Sequence, residues 1–515
     1  MSGLPARAEP VFGRAARFEM RGVLGRGGSG IVYHAVERET QREVALKMLV
    51  STDIEQIYHL KAEFRSLAQI AHPNLVQLDE LVVGPEACFF TMELVRGKTF
   101  GEYALDLVGE PGPAAWTEQA VERLRRVVLQ LASGIATLHA AGKLHRDIKP
   151  TNILVTDEDR AVLVDFGLCT PLKFVERMKN PFAGTLLYMA PEQAWGKPLS
   201  RAADWYALGA ALFEAITARR PFEAEGARLL FDKEKAPPIP EGFAAARPLL
   251  HLATALMDPL PERRPRSGAI LAALAGAERS VRSMPSFVAS ADERVALDAA
   301  LADERAVLEA AFADVGAGRP GIVHVEGGAG VGKTALVERF LRASEDRPGT
   351  VVLRGRCYSR ESVSYNGFDG VLDELSEWMS QLDSSALSQV LPADVGSLRV
   401  AFPIFRRVGG IGASPDVPYT DFLALHDRAF RALRELFANI ADRYTLIVAL
   451  DDAHSGGPDT ALLIGEVFHP PGPPRLLLIL VYRSEDAARS TLFEVLHQRA
   501  ATLLAPTHRV VLRRV

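Results

Sequence analysis

The stretch LHRDIKPTN, Leu144 to Asn152, sets a histidine, two cations, a carboxylate, an amide and a proline between two apolar runs. Upstream, GRGGSGIVY supplies Gly25, Gly27 and Gly30 in G-x-G-x-x-G spacing, and positions without side chains let backbone amides approach phosphates closely. The same spacing marks dinucleotide folds, where it opens a helix. Here Ile31, Val32 and Tyr33 continue as strand and predict a hairpin able to lie over a nucleotide. Far downstream, HVEGGAGVGKTALVERF places Gly327, Gly332, Lys333 and Thr334 in G-x-x-x-x-G-K-T spacing, with a strand pattern before and a helix pattern after. Amides of such a loop cradle phosphates at a helix N-terminus, with Lys333 reaching the terminal phosphate and Thr334 binding magnesium. TLIVALDDAHSGG then reads as a second strand of that site, with Asp451 on magnesium and Asp452 placed to orient water.

The elements that must hold these residues follow from hydrophobic period. FEMRGVLG, GIVYHAVE and EVALKMLV are short β-type runs separated by Gly or charged turns, which predict an antiparallel sheet. After FFTMELVRG the period changes. Leu124, Val128, Leu131, Ile135 and Leu138 recur at helical spacing, so a mainly helical lobe follows the sheet. Near residue 278 the composition turns to a polar connector that runs into an alanine-rich helical pattern. Beyond it, GIVHVEG, TVVLRG, YTLIVALDD and RLLLILVYR alternate with helical segments, the pattern of an α/β domain with a buried parallel sheet.

Bulk properties agree with a multidomain globular chain: 515 residues predict about two to four domains. A formal charge of -5 gives no electrostatic case for nucleic acid or an anionic membrane surface. The cysteines Cys88, Cys169 and Cys357 are few, odd in number and far apart, which suits neither a disulfide framework nor a zinc site and fits a reducing cytoplasm. The longest apolar runs, such as RLLLILVY, are far shorter than a bilayer span.

Taken in order, these motifs resemble a complete protein kinase domain over residues 18–278, with an N-lobe at 18–95 and a C-lobe at 96–278. The resemblance implies a bilobal α+β fold. It makes Gly25, Gly27, Gly30 and Val32 nucleotide-contacting positions, Lys47 in VALK the phosphate-holding cation, and Glu63 its helical partner. It makes Asp147 the acceptor of the substrate hydroxyl proton and Lys149 the neutraliser of the transferring phosphoryl group. Asn152 and Asp165 would ligate magnesium beside ATP, Phe166 would pack, and Gly167 would be the hinge of the activation segment. Lys149 together with Thr185 in GTLLYMAPE matches the serine/threonine branch. Glu192 would pair with Arg264, or with its neighbour Arg263, and Asp204 would anchor the catalytic loop. Arg146 commonly docks on an activation-segment phosphate in this family, yet the segment offers only Thr170, close to Gly167. The expectation is therefore activity without phosphorylation there, with Glu176 pairing Arg146.

Residues 320–515 resemble the AAA-like P-loop ATPase module of bacterial signalling proteins, an α/β P-loop NTPase-like fold, with residues 1–17 as an extension and 279–319 as linker and helical entry. Arg483 in LVYRSED would be a polar sensor. After it the sequence has room for one helix and a strand, so the helical lid of this class is expected to be missing and the chain to be the front part of a longer regulator. The functional expectation is a cytoplasmic magnesium- and ATP-dependent kinase acting on Ser and Thr hydroxyls of proteins, with an attached nucleotide-binding module that engages signalling partners. The alternatives are a nucleotide-regulated switch or scaffold, and a metabolic nucleotide-binding enzyme.

Overall fold

The structure, a computed structural model, describes residues 17–275 and 302–512, except 28–29, 50–52, 69, 85–86, 111, 167–169, 172–185, 225–226, 360, 363–364, 410, 412–421, 470–471 and 500–504. The expected roles of Gly167, Thr185 and Glu176, and the thiol of Cys169, lie outside the described residues. The chain divides into two compact units, one built on Met1–Val50, His59–Glu80 and Phe89–Phe287, the other on Val288–Val515 with Ser51–Tyr58 and Leu81–Cys88.

The chain opens with β1 (Phe18–Gly27), β2 (Gly30–Glu37), β3 (Glu43–Met48), α1 (Ile54–Leu67), β4 (Leu78–Val83) and β5 (Cys88–Glu93). The strands run in the order β1-β2-β3-β5-β4, and the β1–β2, β2–β3 and β3–β5 pairs are antiparallel. Helices and short strands follow: β6 (Lys98–Thr99), α2 (Phe100–Val108), α3 (Glu118–Ala140), β7 (Lys143–Leu144), β8 (Ile153–Val155), β9 (Ala161–Leu163) and β10 (Thr170–Pro171). Thr117 caps α3 by accepting from the amide of Ala120, and all five apolar positions read at helical spacing along it are buried. Then come α4 (Pro191–Ala194), α5 (Ala202–Thr217), α6 (Ala227–Asp232), α7 (Arg247–Leu256) and α8 (Ser267–Ala275). α5 is buried almost all round and packs on α7, which makes its apolar run the centre of the helical core. Among the described residues no helix is long and apolar enough to cross a membrane.

The second unit contains α9 (Ala302–Gly316), β11 (Gly321–Gly327), α10 (Lys333–Glu345), β12 (Thr350–Arg356), α11 (Phe368–Met379), α12 (Ser384–Val390), α13 (Val395–Ala401) and α14 (Phe422–Ala441). It ends with β13 (Thr445–Asp451), α15 (Pro458–Val467), β14 (Leu476–Arg483), α16 (Ser484–Ala487), α17 (Thr491–Arg499) and β15 (Thr507–Leu512). The sheet is parallel throughout in the order β12-β13-β14-β11-β15. Period two splits its core between two faces. Leu446, Val448 and Leu450 of β13 join one apolar cluster with α11 and α14, while Ile447 and Ala449 join another with α9 and α10. Strand order brings the C-terminal ends of β11, β13 and β14 together, and a ligand of such a sheet binds at that edge.

Candidate functional site

In the first unit, cross-strand register places Gly25 beside Val32 and Val32 beside Lys47, so the hairpin glycine, the apolar contact and the cation form one row across β1, β2 and β3. Gly27 pairs with Gly30 at the hairpin end. At Gly30 φ is +139°, and a Cβ there would stand 2.4 Å from the Met48 carbonyl oxygen, so only glycine closes this turn. A Cβ at Gly25 would meet nothing within 4 Å. The space beside the row is open.

Lys47 Nζ lies 2.7 and 2.9 Å from the two carboxylate oxygens of Glu63 on α1, and 3.1 Å from Asp165 Oδ1. Burial opposes the charge on Lys47, but the Glu63 and Asp165 carboxylates outweigh it and hold the ammonium above its ordinary value. Asp165 sits at φ +63°, a left-handed conformation that a non-glycine residue adopts at some cost. Phe166 is buried, its ring 4.6 Å from that of His145.

The segment from His145 to Asn152 is held from beneath. Asp204, at the start of α5, accepts from the amides of His145 at 2.9 Å and Arg146 at 2.8 Å, and is 2.7 Å from His139 Nε2 of α3. Burial works against ionising this carboxyl, but the His139 contact and the Arg146 amide outweigh it and hold it below the usual range. Arg146, between the histidine and Asp147, sits at φ +70°, in the left-handed region. Lys149 Nζ is 2.6 Å from Asp147 Oδ2, and the Asn152 side-chain amide donates to the Asp147 carbonyl at 2.9 Å and to Oδ2 at 3.1 Å. Asp147, Lys149 and Asn152 therefore form one cluster. Lys47, Glu63 and Asp165 form a second, and Phe166 on His145 ties it to the loop.

In the second unit, Gly327 ends β11 at φ +158°, where a Cβ would stand 2.5 Å from the Leu512 carbonyl oxygen. Gly332, at φ +91°, is the residue before α10, whose first residues are Lys333 and Thr334. Lys333 Nζ donates to the carbonyls of Gly327 at 2.9 Å and Gly328 at 2.6 Å, and burial pulls its ammonium down. Thr334 Oγ1 lies 3.2 and 3.3 Å from the Asp451 carboxylate, so the loop and β13 meet at that pair of residues. Arg483 is in register with Gly327 at the end of β14, half exposed, 4.0 Å from Asp486. The chain beyond it folds as α16, α17 and β15.

Two comparisons bear on these geometries. A model of the protein kinase domain matches residues 18–272, and a model of the AAA ATPase domain matches residues 301–480. Residues 18–272 belong to the protein kinase family. The serine/threonine-protein kinase PknA of Mycobacterium tuberculosis is 31% identical over 295 residues, covering 53% of this chain and 63% of the relative. PrkC of Bacillus subtilis is 35% identical over 217 residues, covering 41% and 32%. The DNA damage-responsive serine/threonine-protein kinase RqkA of Deinococcus radiodurans is 33% identical over 274 residues, covering 50% and 39%. The chain thus spans 32% to 63% of the length of these relatives. Kinase and AAA domains both imply ATP binding.

In the kinase domain, the partner of Glu192 is Arg264, with contacts of 2.6 and 2.8 Å, and not the exposed Arg263. Arg264 also donates to the carbonyls of Ala202, Asp258 and Pro259, so its whole guanidinium is committed. Removing one partner of a buried pair leaves the other charge uncompensated. Arg264→Ala is expected to lower the stability of the kinase domain by about 3–5 kcal/mol, read as a lower midpoint in denaturant unfolding.

Three contributors escaped the sequence reading. His139 is one, a buried imidazole that looks in sequence like any helix-end histidine. Arg356 closes β12 in register with Asp451 and contacts Asp451, the last residue of β13, at 3.3 Å and the following Asp452 at 2.5 Å. Burial and the neighbouring Asp452 carboxylate push the Asp451 carboxyl up, and Arg356 opposes the shift. An arginine ending an apolar run level with an acidic strand end was the available signal. Glu485 is the third: its carboxylate accepts from the phosphate-loop amide of Ala329 at 3.1 Å, on the donor type that phosphate oxygens use.

Proposed function

We propose that this chain is an ATP-dependent protein kinase that phosphorylates serine and threonine hydroxyls, and that its second unit is a nucleotide-binding module acting on signalling through partners. The observation that carries the reading is the Lys47–Glu63–Asp165 triad standing beside the Asp147–Lys149–Asn152 cluster.

The chemistry follows from charge placement. Asp147 takes the proton of the acceptor hydroxyl as its oxygen bonds to the γ-phosphorus of ATP. The bond from that phosphorus to the bridging oxygen breaks, and ADP leaves with the electron pair. Lys149 stands at 2.6 Å from the base and balances charge on the phosphoryl oxygens during transfer. Lys47 keeps its charge because two carboxylates face it, and it positions the non-transferring phosphates. Asn152 and Asp165 carry the hard oxygen donors that would hold magnesium beside the ATP phosphates. When bound, that ion screens the triphosphate charge. In the second unit, Thr334 and Asp451 supply the equivalent donors.

The test is transfer of labelled phosphate from ATP to a basic protein such as a histone. The full chain should label serine or threonine but not tyrosine, and Asp147→Asn should not. Equal labelling by both would remove the kinase reading.

A further inference from the structure

Lys233, the residue after α6, is 0% exposed. Lysine is almost never buried so completely unless something inside needs it. Its Nζ lies 5.1 Å from the Tyr206 ring and 5.7 Å from the Phe222 ring, and it donates to the main-chain carbonyls of Leu187 at 2.9 Å and Met189 at 2.6 Å. Burial draws the ammonium down to about 7, with Glu192 opposing the shift and Arg264 adding to it. Charged or neutral, the amine keeps enough N–H groups for both carbonyls.

What Lys233 grips is the chain between Thr185 and α4. Tyr188, between the two gripped residues, donates its hydroxyl to Glu214 of α5 at 2.7 Å. Gln193, four residues after Met189, donates to the carbonyl of Arg146 at 3.2 Å, and Arg146 immediately precedes the base Asp147. Leu186, Leu187 and Tyr188 are only half-buried, so this segment offers partly open chain tied directly to the loop that carries the base. An acceptor whose hydroxyl reaches Asp147 must run its own chain past nearby protein, and this segment is bonded to the loop through Gln193.

We propose that Lys233 is a positioning residue for the protein acceptor: by holding the carbonyls of Leu187 and Met189 it sets the main-chain shape against which the acceptor lies. The proposal rests on the kinase reading, and the two fail differently. If Asp147→Asn transfers phosphate normally, the kinase reading falls. If only the Lys233 variants behave like wild type, this proposal falls alone.

The experiment is steady-state transfer by the full chain to a histone acceptor, with acceptor and ATP varied separately. Lys233→Met keeps the apolar stem and removes the donor. It is expected to raise KM for the acceptor about tenfold, the worth of one or two buried charge-assisted hydrogen bonds, while KM for ATP stays within about twofold. Lys233→Gln, which retains an N–H donor, should recover part of the defect. An unchanged acceptor KM overturns the proposal. So does a parallel rise in both KM values, or loss of ATP binding in both variants, because Lys233 would then support the fold of the lobe in general rather than the acceptor.

Discussion

Asp147→Asn is expected to reduce phosphate transfer by about 10²–10⁴-fold, the usual contribution of a positioned proton acceptor, with KM for ATP little changed. The asparagine keeps the shape of the side chain, so the Asn152 contact can persist, but it cannot take the hydroxyl proton. Lys47→Met should fall comparably for another reason. It removes the cation that Glu63 and Asp165 share and leaves their carboxylates facing one another. Lys333→Ala, in a separate phosphate loop on the other side of the linker, should leave transfer to a histone within about twofold of wild type, as sites that act independently do. The assay is initial rate of labelling at saturating ATP. Loss of transfer in Lys333→Ala equal to that in Asp147→Asn would show that the second loop controls the first.

What was legible in the sequence is what lies close along the chain or is fixed by hydrophobic period. The loop from His145 to Asn152 carries its carboxylate, cation and amide within six residues, so they were found together in the sequence. The five apolar positions of α3 announced their burial through a 3.6-residue period, and the parallel sheet of the second unit announced itself through unbroken apolar strands. Lys47 and Asp165 are 118 positions apart and could be paired only because each stood in its own motif. Residues without a motif had no such help. Lys233 meets Leu187 across 46 positions, and neither carries a local pattern that points to the other; Arg356 meets Asp452 across 96, and only the end of its apolar run hinted at the pairing. Arg263 and Arg264 could not be separated for a similar reason: adjacent residues in a tight turn project in different directions, and only packing decides which is inward.

Lys333→Ala is expected to weaken ATP binding at the second loop by about 10–100-fold, the worth of one or two hydrogen bonds from a charged donor. The loop is not idle in the structure: Lys333 bonds its own carbonyls, Glu485 sits on the Ala329 amide, and Arg356 bridges Asp451 and Asp452. Triphosphate must displace the first two contacts, and a divalent ion must compete with Arg356 for Asp451. Net affinity should therefore be modest even with every expected residue present. Because burial raises the Asp451 carboxyl, protonation removes its charge at a higher pH than for an ordinary aspartate. Divalent-dependent binding should accordingly be lost earlier on acidification than a free carboxylate predicts. The measurement is calorimetric titration of ATP with magnesium into the full chain carrying Asp147→Asn and Lys47→Met, which disable the kinase cleft, with and without Lys333→Ala, together with phosphate release. We expect weak binding that depends on Lys333 and slow turnover, since Arg356 holds Asp452, the water-orienting candidate, at 2.5 Å. Fast hydrolysis abolished by Lys333→Ala would mean that Arg356 yields readily when nucleotide arrives. Binding indifferent to Lys333→Ala would mean that this loop is not where the nucleotide sits.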